Sequence, residues 1–125
     1  MTDAYDRLRE ICLALPEATE KPFGGHTNPA FRVRDKIFVM TTEGDDGRIS
    51  LTFKAPAGAQ EFFIHQDPAR FFRPPYSGPS GWLGARLDGE GVNWDLLETM
   101  ILDSYRMIAP KRLAALLTNI RDNSR

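Results

Sequence analysis

Residues 30–54 read AFRVRDKIFVMTTEGDDGRISLTFK, and the period of their side chains decides the fold class. Phe31 and Val33 alternate with Arg32 and Arg34. Arg34-Asp35-Lys36 forms a tight polar turn, and Ile37 to Met40 makes a returning strand. Glu43-Gly44-Asp45-Asp46-Gly47 is a second turn. After it Ile49, Leu51 and Phe53 alternate with Arg48, Ser50, Thr52 and Lys54. A period of two is that of a strand, because successive side chains leave a pleated backbone on opposite faces. The segment therefore predicts an antiparallel meander with one apolar and one polar face.

On either side the period becomes helical. Tyr5, Leu8, Ile11, Cys12 and Leu15 form one stripe of a helix over 3–15 that Pro16 terminates. Residues 57–66 predict a short helix bearing Phe62 and Phe63, and Trp82 to Leu87 a fourth strand. From Asn93, an N-cap residue type, Trp94, Leu97, Ile101, Tyr105 and Ile108 mark a long helix. Pro110 interrupts it, and Leu113, Leu116, Leu117 and Ile120 mark a last one. Local strand connections between terminal helices make the chain α+β, an antiparallel meander packed against N- and C-terminal helices. Ile49, Leu51, Phe53, Leu8, Ile11, Leu97, Ile101 and Tyr105 are expected to share one core.

The 125 residues form one domain, 1–125, with 42% hydrophobic and 26% charged side chains. A formal charge of −1 excludes a basic whole-protein footprint, so any contact to nucleic acid must be a local patch. The single cysteine, Cys12, permits no intramolecular disulfide and no cysteine-rich zinc site, and its place on the apolar stripe predicts a core thiol. No apolar run reaches the roughly 20 residues that span a bilayer, and the early run Ile11 to Leu15 follows an acidic start. A cytoplasmic protein without a membrane partner is expected, with a monomer favoured.

Familiar catalytic patterns are missing: no G-x-S-x-G elbow, no phosphate-binding P-loop, no dinucleotide fingerprint and no H-E-x-x-H. His26 and His65 show no metal-ligand spacing. The residues call for no cofactor and no metal.

Three constellations remain. Arg32, Arg34, Arg48 and Lys54 alternate along the meander with Ser50 and Thr52, and strands about 4.8 Å apart would place them on one face. Such a face can neutralise phosphates, and equally keeps an exposed sheet soluble. Lys111 and Arg112 follow Pro110 in the first turn of the last helix, where the dipole disfavours cations and a bound phosphate would relieve the conflict. The third is RPPYSGPSGW at 73–82. With Arg70, Phe71 and Phe72 it interleaves cations with aromatics, as base stacking on single strands requires. It also reads as a stiff strap over the core, with Phe71 and Trp82 buried and Arg73 and Tyr76 at its rim. A small-ligand or anion pocket beside this strap would use His26, Arg32, Arg73 and Tyr76.

The order of short motifs resembles that of a known family. Leu15-Pro16-Glu17, Phe31-Arg32-Val33-x-x-Lys36-x-Phe38, Pro75-Tyr76, Gly81-Trp82, Leu87-Asp88, Ser104-Tyr105 and Ala109-Pro110-Lys111-Arg112 together resemble the MmcQ/YjbR family of small bacterial proteins. The resemblance runs from about residue 4 to residue 117. It implies an α+β fold like that of CyaY, the bacterial frataxin, and a DNA-binding role through a double wing of hairpins, with no agreed catalytic residues. Carried onto this sequence, the wing residues are Arg32, Arg34 and Lys36 at the first hairpin and Arg48 after the second. Glu43, Asp45 and Asp46 at the second tip depart from a phosphate-binding pattern. The frataxin-like fold also raises iron handling, for which Asp3, Asp6 and Glu10 on the first helix are the candidate residues.

Overall fold

The computed structural model describes residues 4–22, 28–44, 47–75, 77–89 and 91–123, the side chains of 118–123 excepted. A six-stranded antiparallel sheet is built from β1 (Ala18–Glu20), β2 (Ala30–Val33), β3 (Lys36–Glu43), β4 (Ile49–Lys54), β5 (Phe71–Phe72) and β6 (Trp82–Arg86), in the order β1-β2-β3-β4-β6-β5. Helices α1 (Ala4–Cys12), α2 (Ala59–Gln66), α3 (Trp94–Ile108) and α4 (Lys111–Asn123) complete the chain. The architecture is the expected α+β.

The meander forms as its alternation dictates. Arg34 and Asp35 both take positive φ, 51° and 66°, the two-residue turn whose twist matches that of the flanking strands. Leu51 and Phe53 on β4, Phe31 on β2 and Val39 on β3 are buried on one face, against Leu8 and Cys12 of α1 and Leu97, Ile101 and Tyr105 of α3. Ile11 and Ile49 pack at its margin, half-buried.

A register shift at Phe31/Arg32 makes Phe38 an extra residue on β3, where the β3–β4 pairing stops at Val39↔Phe53. The backbone groups left over are satisfied by one buried hydroxyl. Ser104 Oγ donates to the Phe38 carbonyl at 2.7 Å and accepts from the Lys54 N–H at 3.0 Å. The extra residue also turns the Phe38 ring onto α3, edge-on to Tyr105 at 5.3 Å between centroids. This contact fixes α3 across the sheet.

Several expectations are corrected. Helix α1 stops at Cys12, not Leu15; Pro16 disfavours helical backbone at Leu15, and the chain has already left the helix at Leu13. Helix α2 starts at Ala59, after Gly58 in the left-handed region at φ 86°. Strands β1 and β5 lie outside the expected elements, and the strand at 82–86 is the sixth in the chain. Trp82 is half-buried rather than core, and Leu116 is 44% exposed. Asn93 caps α3 as expected, its side chain accepting from the Leu96 N–H at 3.1 Å.

Candidate functional site

One end of the molecule gathers cations from three parts of the chain. Buried Tyr105 on α3 donates from its hydroxyl to the Pro16 carbonyl at 2.6 Å. That bond holds the Pro16-Glu17 turn against the helices, with Glu17 at φ 58°. From there Glu17 receives Arg34 of the β2–β3 turn in a two-pronged ion pair at 2.5 and 3.1 Å. Hydrogen bonding from Arg34 pulls the Glu17 carboxyl below its ordinary range, and the charge of Arg112 on α4 lowers it further. The hairpin tip thus contacts this carboxylate directly, and the charge at the start of α4 acts on it through space. Lys36, Lys111 and Arg112 are exposed there.

Arg32 and Lys54, both half-buried, lie at the same end. Arg32 donates to the Asp35 carbonyl at 3.3 Å. Lys54 shares the Ser104 bridge with Phe38. Among the described residues Arg32, Arg34, Lys36, Lys54, Lys111 and Arg112 stand at this end with the acids Glu17 and Asp35. Asp103, beside Ser104, is paired with Arg106. Glu20 is engaged by Arg9 at 2.9 and 3.1 Å.

The four cations expected on one sheet face do not form one patch. Arg34 turns off the face to Glu17, and Arg48 lies beyond the other end of β3. At about 3.3 Å per residue that strand separates the two hairpin turns by roughly 23 Å. Arg48 pairs instead with Asp88 at 2.8 Å, and its hydrogen bond depresses the Asp88 pKa. Asp45 and Asp46 lie outside the described residues.

Near Arg48 the face away from the helices carries a shallow groove of about 340 Å³, lined by Thr42, Gly44, Arg48, Ser50, Phe72 and Arg86. Its floor depends on Gly84, because a Cβ there would stand 2.4 Å from the Phe72 ring. The Arg86 guanidinium lies over that ring at 4.7 Å. A second hollow of about 410 Å³, lined in part by Arg7, Glu10 and Trp94, opens between α1 and the start of α3.

The strap serves as packing where it is described. Phe71 is buried and touches Phe63 of α2 at 5.3 Å. Gln60 donates to the Gly78 and Trp82 carbonyls at 2.7 and 2.6 Å. Arg73 lies along the strap, its Cγ 2.7 Å from where a Gly78 Cβ would be. His26 and Tyr76 lie outside the described residues, so the strap pocket is represented by Arg32 and Arg73, and neither lines either hollow. On α1, Asp6 and Glu10 are engaged by Arg9 and Arg7, and Asp3 lies outside the described residues. Among the described residues no three His, Cys, Asp or Glu side chains converge as a metal site.

Compared with known proteins, residues 13–107 match the family model described as YjbR. The chain belongs to the YjbR family. Among solved structures, this YjbR chain is similar to protein DR2400 of Deinococcus radiodurans, assigned to domain DUF419. The TM-score is 0.72 at 22% identity, covering 86% of this chain and 79% of that one. At that identity the likeness concerns the fold. No curated protein matches the sequence.

Proposed function

We propose that this YjbR chain binds duplex DNA through its basic end, with the β2–β3 hairpin as a single wing and the start of α4 beside it. The observation that carries this reading is the Arg34–Glu17 ion pair at the hairpin tip, with Lys36 of the hairpin and Lys111 and Arg112 of α4 exposed. It gives a protein of net charge −1 a local surface where cations outnumber acids. A hairpin with a two-residue tip is narrow enough for a major groove about 12 Å wide. Arg34 can exchange Glu17 for a phosphate of the same forked geometry, while Lys111 and Arg112 sit where the first N–H groups of α4 also favour an anion.

The two hairpin turns lie at opposite ends of β3, so a double wing would require a duplex running the length of the sheet. The single wing requires contact at one end only. Binding of a random duplex, followed by fluorescence anisotropy across a salt series, tests this. Log affinity is expected to fall linearly with log salt, at roughly −0.9 per phosphate neutralised. R34A/R112A is expected to flatten the slope by about two units if each meets one phosphate. An unchanged slope in that variant would refute the placement.

A further inference from the structure

The groove at the opposite end of the sheet plays no part in the proposed DNA contact, and its chemistry is specific. Cross-strand partners Thr42 and Ser50 bring two hydroxyls into it, and Arg48 and Arg86 bring two guanidinium groups. Among the described residues none of those lining it is a carboxylate, although Asp88 pairs with Arg48 at its edge. Asp88 orients Arg48 by accepting from its Nε at 2.8 Å. Arg86 is steadied by donating to the Ala69 carbonyl at 3.2 Å. Its guanidinium carbon lies over the Phe72 ring, 4.7 Å from the centroid, and that ring stands close against the backbone at Gly84. A guanidinium held over an aromatic ring offers its outer face to a further planar group while its edge donates to anionic oxygens.

We propose that this groove is a binding site for a small phosphorylated molecule carrying a planar ring, the chemical class of the nucleoside monophosphates. The phosphate takes hydrogen bonds from Arg48, Ser50 and Thr42, and the ring stacks on Arg86. Charge-assisted donors converging on one anion provide the affinity. The planar layer supplies selectivity for a ring-bearing ligand over a bare anion. About 340 Å³ falls at the lower end of the range of small-molecule sites.

Amide chemical shifts of the whole chain, titrated separately with AMP, adenosine and inorganic phosphate, test the proposal. AMP is expected to move the resonances of Thr42, Ser50 and Arg86 in a saturable way, and more tightly than either fragment. R86A is expected to weaken AMP binding by roughly threefold or more, the worth of the lost stacking contact. R86K keeps the charge and loses the plane, so it should weaken AMP more than inorganic phosphate. S50A, a small change at the half-buried position opposite Thr42, supplies a second variant should either Arg86 substitution perturb folding, and it should also weaken AMP. Absence of shifts in the groove at about 1 mM AMP, or equal affinity for AMP and inorganic phosphate, overturns the proposal. Neither result bears on DNA binding, since R34A/R112A alters the other end of the sheet.

Discussion

Ser104 shows how much one side chain can organise. It is fully buried, and its hydroxyl satisfies two backbone groups that the extra residue on β3 would otherwise orphan. Ser104→Ala leaves both without that partner, and a buried unsatisfied group costs about 1–3 kcal/mol. Chemical denaturation should show a loss of that size. Leu51→Ala, in the central strand and fully buried, should cost on the order of 2–5 kcal/mol in the same assay. Cys12 lies with Leu51 in the core, and burial raises its thiol pKa far above the ordinary cysteine range. A thiol reagent should therefore label native protein slowly and denatured protein fast, whereas rapid native labelling would contradict the buried position. The core places of Leu51 and Cys12 are legible from periodicity. The tasks of Ser104 and Gly84 are not, because a bulge and a close ring-to-backbone approach arise only once distant strands have met.

At the scale of elements, the meander and α3 follow from pattern, since each buries a face or stripe with its own period. Strands β1 and β5, three and two residues long, carry no alternation to detect and exist because a longer neighbour offers an edge. Periodicity places the end of α1 too late because its apolar stripe continues to Leu15 after the helical backbone has stopped. The cations of the candidate site were visible singly, but their grouping depends on Tyr105 holding Pro16 and so placing Glu17 beside the hairpin. In that hairpin Asp35 occupies the left-handed region, where glycine meets no steric penalty. Asp35→Gly should raise the midpoint of thermal unfolding slightly. A drop would show that the Asp35 side chain stabilises the turn by other means.

Across the whole molecule the net charge hides a separation of sites, with a basic end at the first hairpin and a hydroxyl-lined groove beyond the second. Glu17 moderates the basic end, which gives its ionisation two opposed consequences. Its pKa is lowered in the folded state, so the stabilisation it contributes is present above the unfolded value and lost as pH falls through the folded value. The Glu17→Gln variant should therefore lose less stability than the unmodified protein as pH drops below about 4.3. Removing the same charge should favour phosphate, because Arg34 is released from its carboxylate.

That opposition makes Glu17→Gln the most direct test of the central claim. Its affinity for random duplex DNA should be measured beside the unmodified protein near 50 mM salt, a concentration at which phosphate contacts are only weakly screened. Tighter binding by Glu17→Gln, with a salt slope at least as steep, is the expected result. Weaker binding by the variant, or no salt-dependent binding by the unmodified protein, would contradict a DNA contact at this end.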